Sequence, residues 1–364
     1  MGSPTVLAAV NLGGEVELRE FERPTTAADN ALLRIEAAGV CGSDVKHYES
    51  DSHVNCIMGH ENLGVIEEIG AVAAHRWGVE QGDRVLLEEY IPCWHCEWCL
   101  SGEFRLCLAS DFRQNETALR FGRTPITVPP QLWGGYSQYM HLPPGSVVHP
   151  LSRAVPARHA AMTLPIANGI QWCRTEGGTS AGSSVVILGP GQQGLGCTLA
   201  AVDTGASCVI VAGKSSDEPR LDAAHRLGAH HTIDVDRTDL SKVVDEITAG
   251  KGVDAVVDTT SGGTNVLETA LRLLKRKGGT VVLQGGRPSG SFPLDMLSSK
   301  YATIKMARGH SHHAVEQAMA LIDSGRYDLD LMSTHVFGLG DLDQALRLPS
   351  QDASAIHITI DPWM

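Results

Sequence analysis

Four cysteines lie within fifteen residues of one another, in the spacing Cys93-x2-Cys96-x2-Cys99-x7-Cys107. Four thiolates this close can surround one zinc ion tetrahedrally, with Zn–S distances of about 2.3 Å, and such a closed shell leaves no position for a substrate. The spacing therefore predicts a small lobe held by a structural zinc. An iron–sulfur cluster and buried free thiols are the two alternatives for these residues.

A second, looser group of metal-ligand residues precedes this lobe. Cys41 lies in Gly39-Val40-Cys41-Gly42-Ser43-Asp44, and His60 and Glu61 follow Gly59. A thiolate, an imidazole and a carboxylate from two segments form a three-ligand site with its fourth position open, as catalytic zinc sites do. Either segment alone is weak, because a cysteine in an apolar run is usually a core residue. The order of both segments, the four-cysteine lobe and a later glycine motif makes the set specific.

The glycine motif is Gly189-Pro190-Gly191-Gln192-Gln193-Gly194, which follows an apolar, β-rich run and precedes a helical pattern. In this context GxGxxG predicts a dinucleotide site: Gly189 makes the tight turn, Gly191 leaves room for a pyrophosphate, and Gly194 allows close helix packing. The N–H groups at the helix N-terminus favour phosphate. The alternative is a glycine-rich turn without a ligand.

The hydrophobic pattern changes near residue 158. Up to residue 157, short alternating apolar segments separated by Gly and Pro predict a mostly antiparallel β domain. Beyond it, strands alternate with helices, which predicts a doubly wound parallel sheet and an α/β fold class. The expected strands are 184–188, 208–212, 253–258, 280–284 and 302–307, and the expected helices are 195–202, 221–227, 266–274 and 314–324.

An irregular segment lies between Cys107 and Trp133 and contains Arg113, Arg120 and Arg123. Loops of this length in a compact domain are often functional. The segment is either solvated surface or a pocket wall that influences substrate choice. We expect a strand to resume over residues 133–140.

The totals limit the class of protein. A chain of 364 residues suggests two domains, and a net charge of −13 disfavours a nucleic-acid partner. No apolar run approaches the roughly 20 residues that span a bilayer, and the first residues lack the pattern of a signal peptide. We therefore expect a cytoplasmic protein without a membrane partner. Nine cysteines, five of them in the candidate metal groups, fit a reducing compartment.

The order of these motifs resembles the zinc-containing medium-chain dehydrogenase/reductase family, which includes alcohol, polyol and threonine dehydrogenases. The resemblance covers nearly the whole chain. It implies a chaperonin-like β-barrel catalytic domain formed by residues 1–157 and 310–364, and a Rossmann cofactor domain over residues 158–309. It also implies a homodimer or a homotetramer.

The resemblance assigns roles to individual residues. Ser43 matches the position whose hydroxyl accepts the proton of the alcohol, and Asp44 matches the carboxylate that orients the zinc-binding histidine. Many family members have a histidine five residues after the ligand cysteine, where this chain has Lys46, followed by His47.

Leu164 is a larger departure from the family. It stands where relatives carry the third zinc ligand or a nearby glutamate, and leucine cannot bind zinc. Either Glu61 completes a shell of Cys41, His60, Glu61 and water, or the site has lost its metal. The intact Cys41 and His60-Glu61 favour the first alternative.

These features predict an oxidoreductase that uses zinc and NAD(P) to interconvert an alcohol, more specifically a secondary alcohol or polyol, and its ketone or aldehyde. One alternative is a zinc-independent reductase of activated double bonds, and another is a non-catalytic dinucleotide-binding protein.

The cofactor form depends on the end of the second strand of the cofactor domain. NAD-specific members of the family place an acid there, whereas this chain has Gly213, followed by Lys214 and Ser215. A cation and a hydroxyl without an adjacent acid favour the 2′-phosphate of NADP. In the competing interpretation, a longer loop lets Asp217 bind the ribose of NAD.

Overall fold

Residues 4–50, 54–260, 265–285 and 293–364 are described in a computed structural model of the chain. The chain forms two compact units, the first made of residues 1–164 and 319–364 and the second of residues 165–318. The functional domain boundaries expected after residues 157 and 309 stay a prediction.

The first unit consists mainly of antiparallel strands. One sheet has the order β2-β1-β4, and a seven-stranded sheet has the order β15-β16-β3-β5-β6-β8, with β7 paired to β3. The strands of these two sheets are β1 (Thr5–Asn11), β2 (Val16–Glu22), β3 (Ala31–Gly39), β4 (Cys56–Ile57), β5 (Glu61–Ile69), β6 (Arg84–Leu87), β7 (Tyr139–Leu142), β8 (Val148–Pro150), β15 (Ser333–Phe337) and β16 (His357–Ile360). Because β16 pairs with β3, the two ends of the chain share one sheet.

Helices in the first unit are short, which fits a β-rich core. They are α1 (Gly42–Tyr48), α2 (Ala71–Trp77), α3 (Glu97–Leu100), α4 (Ala157–Ala160) and α12 (Leu342–Gln351), while α5 (Thr163–Gly169) crosses the boundary between the units. The bounds predicted for the strand over residues 133–140 are wrong, because the strand β7 begins only at Tyr139 and ends at Leu142. A Cβ on Gly134 would lie 1.9 Å from the Ile57 carbonyl oxygen, so this stretch packs as glycine-dependent loop.

The second unit is a doubly wound parallel sheet, as predicted. Its strand order is β11-β10-β9-β12-β13-β14. Strands β10 and β11 follow β9 on one side of it, and the chain then returns to form β12, β13 and β14 on the other side. The strands are β9 (Ser184–Leu188), β10 (Cys208–Gly213), β11 (His231–Asp234), β12 (Ala255–Asp258), β13 (Thr280–Gln284) and β14 (Thr303–Ala307).

Helices connect these strands. They are α6 (Gln192–Asp203), α7 (Glu218–Arg226), α8 (Leu240–Thr248), α9 (Asn265–Leu273), α10 (Leu294–Ser299) and α11 (His312–Asp323), which crosses back into the first unit, and a π-helix covers Ile170–Glu176. The sequence did not predict β11, α8 or α10. None of the helices in the described ranges combines the length and the hydropathy needed to cross a membrane.

Candidate active site

The strand pair β3–β5 brings the first metal-ligand group together. In its register Gly39 lies opposite Glu61, so Cys41, two residues beyond Gly39, reaches His60 and Glu61. One potential ligand atom from each of Cys41, His60 and Glu61 lies within 4.8 Å of the other two. Both His60 and Glu61 are buried. The three residues expected to bind a catalytic metal therefore form one cluster.

Two glycines allow this close approach. A Cβ on Gly39 would lie 2.3 Å from Glu61 Oε2, and a Cβ on Gly59 would lie 2.7 Å from the ring of Tyr136. Gly59 also has φ +87°, in the left-handed region that favours glycine. Side chains at either position would displace the residues expected to bind the metal.

Asp44 fixes the orientation of His60. Its Oδ1 lies 3.2 Å from His60 Nδ1, while its Oδ2 accepts hydrogen bonds from the Tyr136 hydroxyl at 3.0 Å and the Cys41 N–H at 3.1 Å. With Nδ1 directed at the carboxylate, Nε2 is the ring nitrogen left for a metal, as in other carboxylate–histidine–metal arrangements. The structure therefore places Asp44 where its expected role requires.

The same contacts influence protonation. Burial disfavours the imidazolium, but the Asp44 carboxylate beside it raises the pKa of His60 well above its usual range. Burial and the Glu61 carboxylate raise the pKa of the Cys41 thiol. Both groups must lose a proton to bind a metal, and a divalent cation would provide the compensating charge.

The environment of Glu61 fits a cation. Its Oε2 is buried and has no hydrogen-bond partner among the described residues, although His357 Nε2 lies 3.4 Å away. An unsatisfied buried carboxylate oxygen is costly, and metal coordination removes that cost. The donor set of one sulfur, one imidazole nitrogen and one carboxylate oxygen suits zinc.

The four-cysteine lobe is equally compact. The Sγ atom of Cys99 lies 3.8 Å from that of Cys93 and 3.4 Å from that of Cys96, and one sulfur from each of the four cysteines lies within 4.8 Å of the others. Thiolates around a zinc ion are about 3.8 Å apart for Zn–S bonds of about 2.3 Å. Burial opposes ionisation, but the N–H groups of His95 and Cys96 lower the pKa of Cys93 to about 6. The lobe therefore fits one closed-shell zinc.

The glycine motif lies between β9 and α6, as predicted. Gly189 has φ +93°, and a Cβ on Gly194 would lie 1.8 Å from the Gly189 carbonyl oxygen. A Cβ on Gly191, the residue that precedes α6, would meet no atom within 4 Å. The turn is thus tight at Gly189 and Gly194 and open at Gly191, which fits a pyrophosphate beside the helix N-terminus.

Comparison with known proteins agrees with this geometry. The model of the alcohol dehydrogenase GroES-like domain matches residues 27–153, and that of the zinc-binding dehydrogenase domain matches residues 194–324. The chain is 36% identical over 355 residues to a probable alcohol dehydrogenase of Mycobacterium tuberculosis, with 95% of each chain covered. The chain belongs to the zinc-containing medium-chain dehydrogenase family.

Two further comparisons support this assignment. An erythritol/L-threitol dehydrogenase of Mycolicibacterium smegmatis is 28% identical over 360 residues, with 96% of this chain and 95% of that protein covered. The solved structure of an alcohol dehydrogenase from Thermotoga maritima aligns with a TM-score of 0.85 and 26% identity, over 99% of this chain and 100% of the other. As a member of the family, the chain is an oxidoreductase that uses zinc and a nicotinamide cofactor.

Ser43, the residue expected to accept the proton of the alcohol, lies on the same helix as Lys46 and His47. Ser43 lies in the first turn of α1, and its carbonyl oxygen accepts a hydrogen bond from Arg123 at 2.8 Å. Lys46 is exposed, whereas His47 Nε2 lies 3.6 Å from the Cys56 thiol.

Sequence reasoning missed three residues around this dehydrogenase site. Tyr136 binds Asp44, His357 approaches Glu61 from β16, and Glu89 Oε2 lies 3.9 Å from His60 Nε2. The adjacent Glu88-Glu89 pair before the cysteine lobe was a signal for Glu89, and a histidine inside the apolar run 356–360 was a signal for His357. Tyr136 had no comparable signal.

The dehydrogenase's cofactor loop differs from the expectation at Ser215. Its hydroxyl donates to Asp234 Oδ2 at 2.6 Å, and its N–H donates to Asp236 Oδ2 at 2.9 Å. The Lys214 N–H donates to Asp217 Oδ2 at 3.0 Å, and Gly213 ends β10 beside them. The Ser215 hydroxyl that was expected to bind a 2′-phosphate, and the N–H of the same residue, therefore both donate to carboxylates.

Proposed function

We propose that this enzyme oxidises a secondary alcohol or a polyol to its ketone with a nicotinamide cofactor, or catalyses the reverse reduction. A primary alcohol and its aldehyde form the second substrate class. The clustering of Cys41, His60 and Glu61 around one potential metal position carries this proposal. The relatives named as alcohol and erythritol/L-threitol dehydrogenases support the same reaction.

Each residue has a separate task in the proposed reaction. Cys41, His60 and Glu61 would hold the metal, and Asp44 would keep Nε2 of His60 directed at it. A zinc ion there supplies Lewis acidity that makes an alcohol more acidic or a carbonyl more electrophilic. The hydroxyl of Ser43 would receive the proton of the alcohol and pass it towards solvent.

The net charge of the proposed ligand set supports zinc. The Cys41 thiolate and the Glu61 carboxylate contribute two negative charges, which balance a divalent cation. Their combination avoids leaving an uncompensated charge in a buried site. Glu61 thereby takes the place that Leu164, a buried aliphatic residue, cannot fill.

A substrate panel tests the reaction. Secondary alcohols, linear polyols and primary alcohols are offered with oxidised cofactor, the matching ketones and aldehydes with reduced cofactor, and turnover is followed at the nicotinamide absorbance. We expect the highest kcat/KM with a secondary alcohol or polyol. Turnover of an activated double bond but of no alcohol would instead support the zinc-independent reductase. Cofactor binding without any turnover would support a non-catalytic protein.

Metal analysis tests the two proposed zinc sites. We expect two zinc ions per chain, of which mild chelation removes the one at the open site together with nearly all activity, because four thiolates form a closed shell. An active protein that contains only one tightly held zinc would contradict the catalytic-zinc proposal.

The preference for NADP over NAD stays a prediction, and the contacts of Ser215 weigh against it. Asp217, Asp234 and Asp236 accept hydrogen bonds from the loop over residues 213–215, and carboxylates repel a 2′-phosphate. These contacts favour NAD, with Asp217, which accepts a hydrogen bond from the Lys214 N–H just after β10, as the residue that would bind the ribose. The cytoplasmic location and the homodimer or homotetramer also stay predictions.

A further inference from the structure

A second carboxylate, that of Glu89, borders the proposed metal position. Glu89 lies two residues after β6, and its Oε2 is 3.9 Å from His60 Nε2. The other ring nitrogen of His60 faces Asp44, so Glu89 lies on the side of the imidazole that would bind the metal. Ligand atoms of a tetrahedral zinc site with bonds of about 2.0–2.1 Å are about 3.3 Å apart. Glu89 lies outside the group formed by the ligand atoms of Cys41, His60 and Glu61, all within 4.8 Å of one another, so its carboxylate would have to move towards that group to bind the metal.

Arg120 holds Glu89 in this position. The guanidinium lies 2.5 Å from Glu89 Oε2, and it lies over the ring of Tyr90, at 4.9 Å, and near that of Phe112, at 5.3 Å. A β-bridge between Tyr90 and Arg120 connects the two segments, and the Phe121 N–H donates to the Glu89 carbonyl at 3.2 Å. Both side chains of the ion pair are 13% exposed. A carboxylate held this way has little freedom to leave the site.

The Glu89–Arg120 ion pair also affects the net charge around the proposed metal. The Cys41 thiolate and the Glu61 carboxylate already match a divalent cation, so another carboxylate would leave an unpaired negative charge in a buried site. Arg120 cancels the charge of Glu89. The centre can therefore have two carboxylates and remain neutral.

We propose that Glu89 is the fourth protein ligand available to the metal in the resting enzyme, with Arg120 as its positioning residue. Glu89 would thereby add a ligand atom to those of Cys41, His60 and Glu61. The proposal rests on the proposed function, because it assumes a metal held by Cys41, His60 and Glu61.

Glu89→Gln tests this role by metal retention rather than by activity. We expect the variant to hold the labile zinc at least about 10- to 100-fold more weakly than the wild type and to lose it faster to a chelator, because removal of even an outer-shell partner of a metal ligand costs that much affinity. Cobalt(II), introduced at the open site after mild chelation, should show an altered visible absorption spectrum in the variant. Retention of the tightly held zinc and an unchanged thermal midpoint verify that the variant folds.

Two further variants separate the carboxylate from its surroundings. Glu36→Gln is the matched control, because Glu36 is also paired with an arginine, Arg84, at 2.6 Å, and it should match the wild type. The double variant Glu89→Gln with Arg120→Gln removes both charges and should still lose metal quickly.

The outcomes distinguish this inference from the proposed function. Wild-type retention and a wild-type cobalt spectrum in Glu89→Gln would show that Glu89 is only a partner of Arg120. Restored retention in the double variant would attribute the loss to the unpaired guanidinium and would also overturn the proposal. A wild-type enzyme without any labile metal would overturn the proposed function itself.

Discussion

Glu61 is the residue on which the proposed catalytic metal most depends, since Leu164 offers no ligand atom. We predict that Glu61→Gln loses most of its labile zinc together with its activity, because an amide oxygen is neutral and binds zinc more weakly than a carboxylate. Zinc content per chain, measured after dialysis, checks this. Glu67→Gln, on the same strand and paired with Arg23 at 3.1 Å, is the control and should retain its metal. Full occupancy in Glu61→Gln would mean that another residue completes the shell.

His141 gives a separate, pH-dependent prediction. Burial lowers the pKa of His141 to about 4, and the ring packs edge-on against Trp133 at 5.4 Å. The unfolded chain has a histidine pKa of about 6.5, so between these values the unfolded state binds more protons. The contribution of neutral His141 to stability is therefore complete above about pH 6.5 and is lost as the pH falls towards 4.

Comparison of the wild type with His141→Phe at two pH values checks this contribution. Between pH 7 and pH 5 the wild type should lose about 2 kcal/mol more of its unfolding free energy than the variant, which retains an aromatic ring but does not titrate. Parallel losses in the two proteins would place the acid sensitivity elsewhere.

Which residues could be predicted depended on how far apart they are in the sequence. The clusters of Cys41 with His60-Glu61 and of the four cysteines follow from local spacing and motif order. The position of Glu89 depends on a bridge to residue 120, and that of His357 on a strand from the end of the chain. The local sequence marked both residues as unusual, but spacing along the chain does not indicate which distant residues they contact, so neither was assigned to the site.

Among the structural elements, the loop after β10 bears most directly on the form of the cofactor. If its carboxylates decide the cofactor, the wild-type kcat/KM should favour NAD by tenfold or more, equivalent to about 1.4 kcal/mol. Asp217→Ala should then weaken NAD more than NADP. Asp222→Ala, on α7 and 3.7 Å from Arg226, is the control and should change neither. A preference for NADP that Lys214→Ala abolishes would restore the expectation from the sequence.

Two of the elements that were not predicted, β11 and α8, differ in the signal that their sequences contain. Strand β11 has a single buried residue, Ile233, so it shows no apolar run. Helix α8 did carry a signal, because Asp239 accepts hydrogen bonds from two N–H groups of the first turn and Leu240, Val243, Val244 and Ile247 have helical spacing. The buried central strands, rich in Val and Ile, were predicted to within two residues.

At the scale of the whole molecule, we expect the cysteine lobe to contribute to the stability of the fold. Cys99 and Cys107 are buried with Tyr90, Phe104 and Val147, so the proposed structural zinc lies beside a small core. We predict that Cys99→Ser releases the tightly held zinc and lowers the unfolding free energy by about 4 kcal/mol or more, as loss of a structural metal does. Thermal unfolding and zinc content measure both effects. Cys208→Ser, outside the metal groups, should change neither by a comparable amount.

The pairing of β16 with β3 also affects the order in which the protein can fold during its synthesis. The ribosome completes β3 and β5 about 300 residues before it produces His357, the buried neighbour of Glu61. Residues 165–318 are synthesised in between and contain their own core. The nascent chain can therefore bury the parallel sheet first. The edge of β3, beside the proposed metal ligands, pairs with β16 only after that strand has been synthesised. A ribosome that stalls before residue 357 would hold a folded nucleotide-binding unit attached to a first unit that still lacks β16 and the buried neighbour of Glu61.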